Sequence, residues 1–189
     1  TNGLEVKRWK PNPERFPQLE NTEVSIWDFG GQEYYHDAYK LFLGTDALFI
    51  ALWCTDSDID DRRKESIKDN QTEVWVDHFK KEYWLDTIQF FRKNSVNSPL
   101  IVVQNKVDNI ALDKKRLSQE LHEEYNIKES FHISFMHGCI PENKDHYDSM
   151  KNFADYVANT LAEMAQKAQL PVDCKRVRNE ILKLSDAKT

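Results

Sequence analysis

The chain has 189 residues, 40% of them hydrophobic, with five glycines and six prolines, which is enough for one domain with a real core and the start of a second. A net charge of −6 without any basic stripe argues against a nucleic-acid reader, and the longest apolar run, ALFIALW at 47–53, is too short for a transmembrane segment. Cys54, Cys139 and Cys174 are odd in number and lack metal-ligand spacing, and Thr1 opens a polar segment, not a signal peptide. Buried thiols in a cytoplasmic protein are the expectation.

In chain order, LEVKRW at 4–9 alternates as a half-buried strand does, and the proline-rich KPNPERFPQ is a loop. TEVSIWDF alternates again, with Val24 and Ile26 on one face, and stops on Gly30 and Gly31. The two segments are expected to pair antiparallel. EYYHDAYKLFLG then carries Tyr35, Ala38, Tyr39 and Phe42 at helical spacing and ends at Gly44. Residues 47–53 and 99–103 are apolar on both faces, as strands of a parallel sheet between helices must be.

Ten of the eighteen residues at 55–72 are charged, so a surface insertion is expected there. The spacing of Val76, Phe79, Tyr83, Trp84, Ile88 and Phe91 predicts a helix over 72–93, and Leu117, Leu121 and Tyr125 predict another over 112–126. A strand is expected at 130–135, and a long amphipathic helix at 147–167. The tail QLPVDCKRVRNEILKLSDAKT breaks at a proline and restarts a helical pattern. Alternating strands and helices predict a doubly wound α/β domain.

Ligands of such sheets bind beyond the carboxyl ends of the strands, and three polar motifs fall there. In WDFGGQE, Asp28 can reach a Mg²⁺ through water, Gly31 can offer its N–H to a terminal phosphate and Gln32 can orient a water, although a plain strand-to-helix turn reads equally well. In NKVD, Asp108 can accept from the N1–H and 2-amino groups of guanine, a pairing that adenine cannot offer; Lys106 can lay its stem over the base, and Asn105 can tie the base to the phosphate side. In SFMHG, Ser134 and the N–H of Phe135 or Met136 can line the base's O6 edge, a weak signal by itself. Six histidines show no metal-ligand spacing. The aromatics Trp75, Tyr83, Trp84, Phe90 and Phe91 suit core or domain-interface packing.

Taken in this order, the motifs resemble those of Ras-like GTPase domains, and more narrowly the Roc domain of Roco proteins. TNGLEVKRW is similar to that family's switch I and following strand, WDFGGQE to its D-x-x-G-Q motif, and NKVD to its base-specifying motif. The resemblance covers 1–168 and implies a Ras-like P-loop NTPase fold that binds GTP or GDP with Mg²⁺ and hydrolyses GTP. It makes Thr1 and Asp28 the metal-side residues, Gly31 the γ-phosphate contact and Gln32 the residue that places the attacking water. It gives guanine selection to Asn105, Lys106 and Asp108, with Ser134 and Phe135 in support. Residues 169–189 resemble the opening of a COR domain, and the family further implies leucine-rich repeats in the same protein and a homodimer. Phe135 and Met136 depart from the usual S-A-K.

None of Gly3, Gly30, Gly31, Gly44 and Gly138 begins the G-x-x-x-x-G-K-[S/T] loop that cradles phosphates in this family. The expectation is that this strand, loop and helix precede Thr1 or come from another copy of the chain. The alternative is a catalytically inactive Ras-like interaction module.

Overall fold

The computed structural model describes residues 4–29, 47–66, 73–92 and 98–167. Strands β1 (Leu4–Trp9) and β2 (Val24–Phe29) form an antiparallel pair with Glu5 opposite Asp28 and Trp9 opposite Val24. The proline-rich loop between them makes a 3-10 turn at Pro17–Leu19. There Leu19, 1% exposed, packs with Trp9 and Phe16 against Ala158 and Ala162 of a long C-terminal helix. Arg15 pairs with Asp155 at 2.7 Å, and Gln18 Nε2 donates to Asn159 Oδ1 at 2.9 Å, so polar contacts surround that apolar anchor.

The core is a parallel sheet of β3 (Phe49–Trp53), β6 (Leu100–Gln104) and β7 (Ile127–His132), with β6 in the centre and every residue of it buried. Side chains alternate across β6. Leu100 and Val102 join Phe49, Leu85, Tyr125 and Ile127 on the face covered by α1 (Lys81–Arg92). Ile101 and Val103 join Ile133 on the other face, under Met150, Phe153 and Val157 of α4 (Lys144–Lys167). Helices on both faces explain why PLIVV carries no polar side. The result is the α/β architecture the sequence predicts, a parallel sheet covered by helices on both faces.

Several elements depart from the sequence expectations. In place of one helix over 72–93, β5 (Glu73–His78) precedes α1. EVWVDH holds β-branched Val74 and Val76 two residues apart, and Val76 is fully buried while its neighbour Trp75 is 56% exposed. Its partner is β4 (Asp61–Ser66), so much of the charged 55–72 stretch is a hairpin strand and not an irregular insertion. Charge is compatible with a strand here because the charges pair across the ladder, Arg62 with Asp77 and Lys64 with Glu73, both at 3.4 Å. The stretch stays outside the core as expected. The preceding segment is clasped to α1: Asp58 accepts from the Lys81 backbone N–H at 3.0 Å and pairs with its Nζ at 2.6 Å.

The helix expected over 112–126 is two short ones, α2 (Ile110–Asp113) and α3 (Gln119–Glu124), each started by a polar cap, Asn109 and Ser118. The last strand lies at Ile127–His132, earlier than 130–135, because Ile133 and Ser134 turn away to meet the β6 loop. The long helix begins three residues ahead of the expected start. Cys139 is exposed, against the expectation of buried thiols, and so are Trp75 and Phe90, at 56% and 65%. The helix expected after Gly31, the tail 169–189 and Cys174 lie outside the described residues.

Among the described residues, β2 and β3 share no ladder. Between them, and reaching α1 and α4, runs a cleft of about 2060 Å³. Ile26, Ile50 and Leu52 line it at 45%, 38% and 58% exposure. No helix among the described residues is long and apolar enough to cross a membrane.

Candidate functional site

Parallel strands of one sheet end on the same side, so the loops after β6 and β7 meet. The meeting is fixed by backbone: Ile133 N–H donates to the Gln104 carbonyl at 2.9 Å, and Val107 N–H to the Ile133 carbonyl at 3.1 Å. Asn105 N–H donates to the Trp53 carbonyl at 2.8 Å, which ties the loop to the end of β3 as well. Val107, 1% exposed, plugs the loop into the core and leaves its neighbours Lys106 and Asp108 at the surface.

On that frame the side chains of NKVD and SFMHG interlock. Ser134 is fully buried, and its hydroxyl donates to Asp108 Oδ1 at 2.5 Å while accepting from the His137 N–H at 3.1 Å. Asn105 Oδ1 accepts from the Phe135 N–H at 3.2 Å. That N–H, one of two backbone donors considered for a base edge, therefore serves the loop itself, and Met136 N–H is the other candidate. Phe135 and Met136 are exposed at 45% and 71%, two apolar side chains flanking the mouth of the loop. Lys106 adopts φ 61°, the left-handed region, and its Nζ lies 3.5 Å from Asp56 Oδ2. Asp56 belongs to the 3-10 turn at Thr55–Ser57, so the charged stretch reaches the base-motif lysine.

Of the residues singled out in the sequence, Asn105, Lys106, Asp108, Ser134 and Phe135 come together. Asp28 stands near the end of β2, half-buried, and lines the same cleft as Phe135. Thr1, Gly31 and Gln32 lie outside the described residues. No group of three or more His, Cys, Asp or Glu side chains among the described residues could hold a metal ion. One carboxylate such as Asp28 would suit Mg²⁺, which keeps waters and phosphate oxygens and asks for only one or two carboxylates.

Two contributors escaped the sequence reading. Gln104, 1% exposed, donates from Nε2 to the Thr55 hydroxyl at 3.2 Å and to the Asp113 carbonyl at 2.7 Å, and its Oε1 accepts from Lys115 N–H at 2.8 Å. It ends α2 and braces the loop that begins at Asn105. The signal was present: a polar residue closes an otherwise apolar strand just before the motif. Gly138 is the second, buried where the SFMHG turn meets α4.

The profile of the family described as "Ras of Complex, Roc, domain of DAPkinase" matches residues 1–108. The chain belongs to the Roc family. Roc domains are Ras-like GTPase domains. The chain is 28% identical over 130 residues to the probable serine/threonine-protein kinase roco5 of Dictyostelium discoideum, covering 68% of this chain and 4% of that protein. It is also 28% identical over 137 residues to a Roc-COR-CHAT protease of an unknown prokaryotic organism, covering 70% of this chain and 11% of that protein. The structure of Methanosarcina barkeri Roco2 RocCORdC bound to GDP overlaps 89% of this chain and 40% of its own at 24% identity, with a TM-score of 0.49. This Roc domain thus spans 4% and 11% of those two curated relatives.

Proposed function

We propose that this Roc domain is a guanine-nucleotide switch that binds GTP and hydrolyses it to GDP and phosphate. The observation that carries the reading is the Ser134–Asp108 hydrogen bond, which holds a surface carboxylate at the mouth of two sheet-end loops. Such a carboxylate accepts the N1–H and 2-amino donors of guanine together, and adenine would leave it unpaired. Lys106 covers the base with its aliphatic stem, Asn105 fastens the two loops to each other, and Met136 N–H with Phe135 borders the O6 edge.

At the phosphate end, Asp28 and Thr1 are assigned to the Mg²⁺ side, Gly31 to the γ-phosphate and Gln32 to the attacking water. Bound Mg²⁺ would offset phosphate charge during in-line displacement. The protein's own part is positioning: Gln32 orients the water, and Gly31 brings an N–H to a γ-oxygen. Loss of that phosphate releases Thr1 and Gly31, which lets both segments relax. A phosphate-cradling strand, loop and helix would pack along the cleft beside β3. Residues 169–189 are assigned to the start of a COR domain, through which nucleotide state would reach a homodimer, with leucine-rich repeats elsewhere in the protein.

The second reading, a catalytically inactive Ras-like interaction module, draws on the lack of G-x-x-x-x-G-K-[S/T] in these 189 residues. A scaffold, however, has no physical need for a buried serine aimed at Asp108. Titration of the full-length protein with fluorescent GDP, with ATP as competitor, separates the two. The switch predicts tight binding that excess ATP does not displace; the scaffold predicts none.

A further inference from the structure

We infer that Gly138 is a positioning residue for base recognition, whose missing side chain lets the Ser134–Gly138 turn seat on α4 so that Ser134 can hold Asp108. The inference rests on the guanine-binding reading and goes beyond it, to the last residue of SFMHG, which that reading leaves without a role.

A Cβ at Gly138 would lie 2.7 Å from the Ser134 carbonyl oxygen, 2.9 Å from Met150 Cβ and 3.1 Å from Met150 Cε. Only the last of these is a flexible tip. The carbonyl is backbone and accepts Gly138's own N–H at 2.7 Å, closing the turn. Met150 Cβ is rooted in α4, a helix of 24 residues. Phe153 and Val157 fix that helix to the sheet, while Ala158 and Ala162 fix it to Leu19. The helix is therefore the stiffer side, and a methyl at Gly138 displaces the turn.

Displacing the turn moves Ser134. Its hydroxyl has one proton and already accepts from His137 N–H, so the proton it gives Asp108 is the only one it has. If the Ser134 carbonyl shifts, the oxygen loses that alignment, and Asp108 is free to rotate away from the orientation that meets two donors on one base edge. The consequence falls on selectivity more than on affinity in general. Phosphate contacts lie elsewhere, whereas the 2-amino contact depends on how the carboxylate is held.

The test compares GDP with inosine diphosphate, which lacks the 2-amino group, on the full-length protein. One hydrogen bond to a carboxylate predicts that the unaltered protein prefers GDP by about 10- to 100-fold. Gly138→Ala should bring that ratio down to within about threefold of unity, because the aligned carboxylate is what creates it. A ratio unchanged while the melting temperature falls would make Gly138 a packing residue only and overturn the inference. Met150→Ala keeps the test alive if Gly138→Ala does not fold: it leaves the glycine and empties the seat, and a smaller loss in the ratio is expected. An unchanged ratio there also overturns it. Unaltered protein that binds neither diphosphate defeats the switch reading itself, and this inference with it.

Discussion

The ends of β6 and β7 and the end of β2 carry motifs of the same family, yet they are built differently. At β6 and β7 the strands are buried, the loops exchange backbone hydrogen bonds, and Ser134, Asn105 and Gln104 bond to groups of the two loops, with Trp53 and Thr55 joining from the end of β3. At β2 the strand has one hydrogen-bonded neighbour, β1, among the described residues, and beside it β3 turns Leu52 toward an apolar cleft. The difference teaches that the proposed base end is held by neighbouring parallel strands and the loops that follow them. The proposed phosphate end would draw on segments farther apart in the chain.

The largest expected effect would break the base end outright. Asp108→Ala removes the acceptor of two guanine donors and leaves the Ser134 hydroxyl without its partner, so GDP affinity should fall by about 100-fold or more, measured by titration. Next, Gln104→Leu keeps the volume but strands Lys115 N–H, the Asp113 carbonyl and the Thr55 hydroxyl. A loss of about 2–4 kcal/mol in denaturant unfolding is expected, and a loss under about 0.5 kcal/mol would show that this end is not held as described.

The cleft side is sharpened by Leu52→Asp. If the cleft is covered in the full-length protein, a charge placed there costs about 2–3 kcal/mol of stability. If it faces water, the change stays within about 0.5 kcal/mol. The smallest effect is on pH. Burial lowers the His132 pKa, although its ring N–H donates to the Lys115 carbonyl at 2.8 Å. The folded value lies below the unfolded 6.5, so the contribution is complete above that pH and is lost as pH falls through the folded value. His132→Gln should flatten the decline in melting temperature on acidification below pH 6.5.

How much was legible in the sequence follows the same division. PLIVV announced a buried central strand because a strand covered on both faces has no polar period to hide. NKVD stood out because it directly follows a buried strand, whereas Ser134 was a weak signal by itself, since serine loops after strands are common. The hairpin strand 61–66 was not legible, since DRRKES shows no apolar alternation. Its stability comes from charges matched across the ladder, and that match depends on a partner register that local sequence does not display. The break between α2 and α3 was hidden for a related reason. It is made by the Gln104 side chain, which reaches across from the end of β6 to capture Asp113 and Lys115. Gly138 stood in the sequence only as the end of SFMHG and as one of five glycines that begin no phosphate loop, because its packing is visible only in what a methyl would touch.

Lys106 joins two demands that oppose each other. Its backbone sits at φ 61°, which costs a side-chain-bearing residue on the order of 1 kcal/mol and a glycine nothing. Its side chain is what the proposed base site would use. A Lys106→Gly protein should therefore melt higher while binding nucleotide more weakly, a trade of ligand contact for relaxed backbone within a single residue. A change of the two measurements in the same direction would show that the loop's shape and its chemistry are not in conflict at that position.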